Sequence, residues 1–314
     1  MSIAVSPGTH LVVGAGAVGS ALALELAQAG ASVALVTRSG SGPAHDGIRR
    51  IAADASSVAA LRTAAGTAAA VYNCANPPYH RWPQEWPPMA QAFLAYAEQT
   101  GAVLVTCSNL YVYGPQSGTL HEGLPLAAPG TKGRIRVAMW QEAKAAHDAG
   151  RIRATEVRGS DYITANAQSR LGDRVVPRLL RGKGVQLVGG LDTQHTWTAP
   201  RDVARLMAIA GSDPQAWGRA WHVPSNPPRS QREAVADLCA AAGVAAVKVG
   251  AVPGLMLRAL GLVNPMIREL GETEYQFASD FVLDDSQARA AFGMEPTPWA
   301  TLVSDQVAAY RSRG

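Results

Sequence analysis

Short apolar runs alternate along this chain with longer stretches whose apolar positions recur at helical spacing, a pattern of strand, helix, strand repeated several times. Residues 11–13 form a first strand, 21–29 a helix stopped by Gly30, and 32–36 a second strand. Residues 47–54 read as a third strand ending at Asp54, which caps a helix reaching about Ala65, with Ser56 or Ser57 sharing that cap. A fourth strand covers 68–74. The proline- and tryptophan-rich stretch after it, 75–88, is predicted to be a loop with no regular element. A helix at 89–99 and a fifth strand at 102–107 follow, the latter an unbroken apolar run suited to burial on both faces. Further on, 155–163 is a sixth strand, 173–181 a basic amphipathic helix and 184–190 a short strand. A helix at 201–210 and a strand at 220–223 come next, then helices at 230–243, 256–261, 284–292 and 301–311; residues 271–281 have no clean period. The pattern predicts an α/β fold: a doubly wound parallel sheet with helices on both faces and a smaller, largely C-terminal lobe. The expected division is 1–162, with 200–224 returning to it, against 163–199 and 225–314.

Three glycines sit between the first strand and its helix. Gly14, Gly16 and Gly19 have G-x-G-x-x-G spacing, in which the first permits a tight turn, the second lets backbone approach a pyrophosphate and the third lets helix pack on strand. A pyrophosphate there would meet the unpaired N–H groups of the helix start, around Ala17 and Val18. The first unit is therefore expected to bind a dinucleotide. At the end of the second strand stand Thr37, Arg38 and Ser39, with no carboxylate for a ribose 2′-OH. Arg38 suits a 2′-phosphate, which points to NADP with NAD also open; the alternative is a solvated surface arginine. Asp54 stands where a carboxylate can touch an adenine amino group, a role compatible with capping.

Length and composition exclude several classes. The 314 residues are 47% hydrophobic and 17% charged, enough for a full core, and no apolar run reaches membrane-spanning length. The start has neither the basic residues nor the long apolar stretch of a signal peptide, so a cytoplasmic location is expected. Cys74, Cys107 and Cys239 lack metal-ligand spacing, and the seven histidines never approach H-x-x-x-H, so no metal is expected. The net charge of +4 is scattered, which argues against nucleic acid. A homodimer remains open.

The glycine turn, the strand end Asn73-Cys74-Ala75 and the segment Ser108 to Pro115, SNLYVYGP, together resemble the extended short-chain dehydrogenase/reductase family, which includes nucleotide-sugar epimerases and dehydratases. The resemblance continues through Glu156-Val157-Arg158, Arg201-Asp202-Val203-Ala204 and Trp221-His222-Val223. It implies cofactor contacts at Gly14, Gly16, Ala17, Val18, Gly19, Asn73, Cys74 and Ala75, and a small-molecule substrate between the lobes.

One departure concerns the chemistry. Family members carry Ser or Thr where this chain has Asn109, beside Ser108, and then Y-x-x-x-K on the next helix. Here that helix reads TKGRIRVAM, which puts Lys132 at the tyrosine position and Arg136 at the lysine position. In the family a phenolate whose pKa is lowered by the lysine moves the hydroxyl proton. An arginine stays protonated and cannot serve as a base, so Lys132 and Arg136 are expected as cofactor or oxyanion contacts and Asn109 and Ser108 as oxygen ligands. Tyr111, where dehydratase relatives carry a carboxylate, is the candidate acid/base, and a hydrogen-bonded core tyrosine is the alternative. Tyr79, His80, Trp82, Asp161, Tyr162 and Tyr275 are candidates to line the substrate. The resemblance implies an NADP(H)-dependent oxidoreductase or epimerase. A cofactor-binding sensor, or a non-redox lyase or isomerase, is the alternative.

Overall fold

The computed structural model describes residues 4–165, 169–252 and 271–313. Seven parallel strands form the central sheet: β1 (Thr9–Val13), β2 (Ser32–Thr37), β3 (Ile48–Ala52), β4 (Ala70–Asn73), β5 (Val103–Asn109), β6 (Arg153–Gly159) and, later in the chain, Ala220–His222. They lie in the order β3-β2-β1-β4-β5-β6 with Ala220–His222 outermost beside β6. The order reverses between β1 and β4, which opens a crevice at the carboxyl ends of those two strands.

Alternation along each strand feeds two cores. Leu11 and Val13 point to one face of the sheet, where α2 (Val58–Ala65), α3 (Trp82–Thr100) and α4 (Thr131–Asp148) pack. Val12 points to the other, against α1 (Ala17–Gln28) and the later helix Pro200–Ala210. Side chains on both faces of the sheet are thus covered, the doubly wound arrangement.

The proline-rich stretch is a correction to the predicted loop. Tyr79–Arg81 is a 3-10 turn, and α3 begins at Trp82 and runs through Pro87 and Pro88. Pro83 falls in the first turn, where an N–H has no partner in any case, whereas Pro87 and Pro88 each forfeit an i→i−4 bond. Burial of Trp82, Trp86, Met89, Phe93 and Tyr96 along one stripe outweighs that loss. Two further differences are local. The cap of α2 is Ser57, whose Oγ accepts from Ala60 N–H, while Asp54 instead accepts from Ser56 N–H and Oγ–H in the turn before it. The sixth strand breaks after Gly159, and Asp161–Tyr162 (β7) leaves the sheet.

Beyond that break, β7 pairs with β9 (Trp197–Thr198), and β8 (Val185–Leu187) pairs with the strand Val249–Ala251. The predicted helix at 173–181 is only one turn, α5 (Val176–Leu179), with Val176 and Leu179 buried in a third core. The remaining helices are α6 (Pro200–Ala210), α7 (Gln231–Ala241), α8 (Ser286–Phe292) and α9 (Trp299–Arg311). A capping box at Ser230 and Glu233 starts α7. Phe292 of α8 packs edge-on against Trp221, 4.7 Å between ring centres, so this part of the C-terminal third lies on the sheet. The expected helix at 256–261 lies outside the described residues. No described helix is long and apolar enough to cross a membrane, and no group of metal-ligating side chains occurs among the described residues.

Candidate active site

The turn after β1 is built by close backbone contacts. Gly14 has φ of +100° and donates its N–H to Val36 O at 2.8 Å, and a Cβ on it would stand 2.6 Å from Cys74 O. A Cβ on Gly19 would overlap the carbonyl of Gly14, so α1 rests directly on the turn. Gly16 is different: apart from its own chain neighbours and helix backbone, no described atom lies within 4 Å of the place its Cβ would occupy. It is also the N-cap of α1 and offers no side-chain cap, so no side chain occupies the first N–H groups of this 12-residue helix. That is the shape and polarity a pyrophosphate requires, and the residues present fit a dinucleotide. Val18 is buried in the core, leaving its backbone as the contact it can offer; Ala17 is half-buried beside it.

The flanking strand ends gather the other predicted cofactor residues. Cys74 N–H donates to Val13 O at 2.8 Å, which lays Asn73, Cys74 and Ala75 along the glycine turn; the buried Asn73 Oδ1 accepts from Ala75 N–H. At the tip of β2, Thr37 Oγ1–H donates to Ser41 O, Ser39 Oγ–H donates to Ser41 Oγ, and Arg38 is exposed. Asp54 is exposed, and hydrogen bonds from Ser56 hold its carboxyl below the usual range.

At the ends of β4 and β5 a second cluster forms. Asn109 closes β5, and its Oδ1 accepts from Tyr111 N–H at 3.1 Å, capping a 3-10 turn, Leu110–Tyr113, so its amide N–H2 is the group left for a ligand. The Tyr111 hydroxyl lies 2.9 Å from that of Tyr79. Lys132 and Arg136, one turn apart on α4, are both buried. Lys132 Nζ sits 5.3 Å from the centre of the Tyr79 ring and 3.0 Å from Glu272 Oε2, while Glu272 Oε1 accepts from Lys132 N–H at 2.7 Å. The Arg136 guanidinium lies over Trp82 and Trp86, 4.8 and 4.4 Å from their ring centres, and donates to Cys107 O. Its Nε and the Ser108 Oγ are buried without a hydrogen-bond partner among the described residues.

The outer rim comes from β7 and from Arg170, His195, Tyr275 and Gln276. Asp161 Oδ2 is 3.1 Å from His195 Nε2, and Arg170 is 3.9 Å from Oδ1. His195 Nδ1 faces Gln276 O at 3.2 Å, and Nε2 also lies 3.4 Å from Ser160 Oγ. Burial alone would raise the Asp161 carboxyl, yet the hydrogen bond and charge of His195, with Arg170, bring it below its ordinary value. The same carboxylate acts electrostatically on Tyr79, Tyr111 and Tyr275, which places all four in one neighbourhood. Tyr162 turns inward, its hydroxyl 3.7 Å from Cys107 Sγ, and burial pushes its phenol well up.

Of the expected substrate contacts, Tyr79 and Asp161 thus act on Tyr111, while Tyr275 is reached by Asp161 and packs edge-on against Phe281. His80 is exposed on the 3-10 turn. Trp82 is 1% exposed and donates Nε1–H to Pro77 O, so it supports Arg136 from beneath and offers no face to a ligand. Glu272, Arg170 and His195 were not singled out by the sequence. Each acts through a partner at least nine positions away, and no local spacing marks such pairs.

The family model described as the NAD-dependent epimerase/dehydratase family matches residues 10–223. Among solved structures, the chain is similar to a dTDP-glucose 4,6-dehydratase from Bacillus anthracis in complex with NAD, at 15% identity, 97% coverage of each chain and a TM-score of 0.77. It is also similar to a dTDP-glucose 4,6-dehydratase from Streptomyces venezuelae with NAD bound, at 19% identity, 97% coverage of each and a TM-score of 0.76. A putative epimerase from Burkholderia cenocepacia aligns at 21% identity over 98% of this chain and 99% of the other, with a TM-score of 0.75. No curated protein matches the chain in sequence.

Proposed function

The chain belongs to the NAD-dependent epimerase/dehydratase family, and we propose that it is an NADP(H)-dependent oxidoreductase or epimerase acting on a small hydroxylated or carbonyl substrate. The observation that carries this reading is the pairing of two sites along one sheet edge. An open, uncapped helix start at Gly16 lies at the reversal between β1 and β4, and a cluster of phenols and cations occupies the ends of the neighbouring strands β4 and β5.

Gly14, Gly16 and Gly19 with the N–H groups of Ala17 and Val18 would hold the pyrophosphate, Asp54 the adenine, and Asn73 to Ala75 the ring nearest the substrate. Arg38 supplies the charge for a 2′-phosphate. A nicotinamide so bound supplies a hydride donor or acceptor. The chain's own residues orient the substrate oxygen and control its proton: the Asn109 amide and Ser108 hydroxyl as hydrogen-bond donors, Lys132 and Arg136 as fixed positive charge beside a developing oxyanion. Asp161, with His195 and Arg170 behind it, faces a substrate hydroxyl as acceptor.

The test is a titration of the purified protein with NADPH and NADH by nicotinamide fluorescence, followed by turnover against a panel of small aldehydes and ketones. Preferential NADPH binding that Arg38→Ala removes while NADH binding stays unchanged supports the assignment. Equal loss of both cofactors overturns the role of Arg38, and failure to bind either overturns the reading as a whole. Tight binding with no hydride transfer to any substrate favours the sensor or the non-redox enzyme.

A further inference from the structure

We propose that the phenol missing from α4 is supplied by Tyr79, from the 3-10 turn after β4, with Tyr111 as its hydrogen-bond donor and Lys132 and Arg136 as the cations that stabilise its ionised form. This rests on the oxidoreductase reading and names the proton donor within it. The argument is geometric. The ammonium that occupies the tyrosine position of the family pattern, Lys132 Nζ, lies 5.3 Å from the centre of the Tyr79 ring. Tyr79 packs edge-on against Trp82, 5.2 Å between centres, and the Arg136 guanidinium lies over the same indole, 4.8 Å from its centre. The combination of one phenol and one cation is thereby rebuilt from two elements, the phenol on the β4 edge and the charges on α4.

Within the pair at 2.9 Å, the two hydroxyls are not equivalent. Tyr79 faces Lys132 and Arg136 from α4, with Asp161 from β7 opposing them; Glu272 pairs with Lys132, and Arg170 with Asp161. Burial raises the Tyr79 phenol, and Tyr111, Arg136 and Lys132 draw it back. Burial raises Tyr111 further, because an ionised Tyr79 and Asp161 both oppose a second negative charge. With the Lys132 ammonium over its ring, Tyr79 is the phenol that carries the charge once a proton has left the pair, and Tyr111 then donates to it.

Before the step Tyr79 is a neutral phenol, raised by burial, and acts as an acid. A bound reduced nicotinamide would supply hydride to the carbon of a substrate carbonyl, with the π electron pair moving onto oxygen. That oxygen takes the Tyr79 proton, and the O–H electron pair stays on Tyr79. The alcohol would carry both hydrogens, the nicotinamide being the two-electron reductant, and solvent restores the Tyr79 proton through Tyr111.

Two measurements test this on the full-length protein. The first needs no substrate: ultraviolet difference titration of tyrosine ionisation in wild type, Tyr79→Phe, Tyr111→Phe and Lys132→Met. Tyr79→Phe is expected to remove a step at lower pH than the step removed by Tyr111→Phe, and Lys132→Met to move the Tyr79 step upward. The reverse order for the two tyrosines overturns the assignment. The second is NADPH oxidation with diacetyl and benzaldehyde as probes, beside cofactor binding by fluorescence. Tyr79→Phe is expected to bind NADPH as wild type does and to lose about 100-fold or more in kcat; Tyr111→Phe is expected to lose about 10-fold. A Tyr79→Phe protein that turns over like wild type overturns the proposal while leaving the oxidoreductase reading intact. A wild type that binds no cofactor defeats the broader reading instead, and the titration order still decides which phenol ionises.

Discussion

Replacing Gly16 by alanine separates the fold from the cofactor site in one substitution. The backbone there has φ −71° and ψ −168°, which alanine adopts without strain, and apart from its chain neighbours and helix backbone no described atom lies within 4 Å of the added methyl. Lower chain entropy in the unfolded state stabilises such a change by about 0.4–1 kcal/mol, while alanine is the poorer N-cap by a similar amount, so the two nearly cancel. The expected Tm shift is within about 2 °C. A bound pyrophosphate, however, has to occupy the space the methyl fills. Pushing it outward weakens the charge-assisted bonds to the first N–H groups of α1, each worth about 1.5–3 kcal/mol, so loss of one to two of them raises the Kd for NADPH by about 100-fold. Gly19→Ala forms the contrast, because its Cβ overlaps the Gly14 carbonyl. There α1 must move, with a stability loss of about 1–3 kcal/mol accompanying any loss of binding. Thermal unfolding and nicotinamide fluorescence measured on both variants give the comparison. A Gly16→Ala protein that binds NADPH as tightly as wild type refutes the argument that Gly16 is the point of closest approach.

Two other features give predictions of stability. His222 is fully buried, with Nδ1–H donating to Asp284 O at 2.8 Å and Nε2 accepting from Tyr113 Oη, itself an acceptor from Arg158. Burial lowers its pKa from 6.5 to about 4. Between those values the unfolded imidazole binds a proton that the folded one excludes, so stability falls as pH drops through that window, by about 3 kcal/mol in all. Urea unfolding of wild type and His222→Gln across this range is expected to show the slope in the first and a flatter profile in the second; parallel profiles would place the proton uptake elsewhere. Glu272 binds the N-terminus of α4 through Lys132 N–H and Nζ, where Gly130 provides no side-chain cap. Glu272→Ala is expected to lower the urea midpoint by the equivalent of about 1–3 kcal/mol, and an unchanged midpoint would show that this end of α4 is held by other contacts.

The succession of strands and helices and the cofactor turn were legible in the sequence, because each depends on residues close together in the chain, and the parallel sheet followed from the alternation of strand with helix even though its strands pair residues as distant in the chain as Glu156 and Ala220. Apolar alternation separates the two faces of β1, and a glycine is legible wherever a positive φ or a close approach admits nothing else, as at Gly14 and Gly19. The same locality misled at Trp82–Thr100, where prolines that weaken an isolated helix are overruled by a stripe of buried aromatics meeting the sheet. Lys132 and Arg136 could be placed on one helix face from their spacing alone. That Lys132 meets Glu272, that Arg136 rests on Trp82 and Trp86, and that Tyr79 rather than a residue of α4 comes beneath the Lys132 ammonium were decided only by tertiary structure. Electrostatic and hydrogen-bond partners are chosen by distance in space, and the chain brings β4, β5, α4 and Glu272 to one sheet edge from positions up to 140 residues apart.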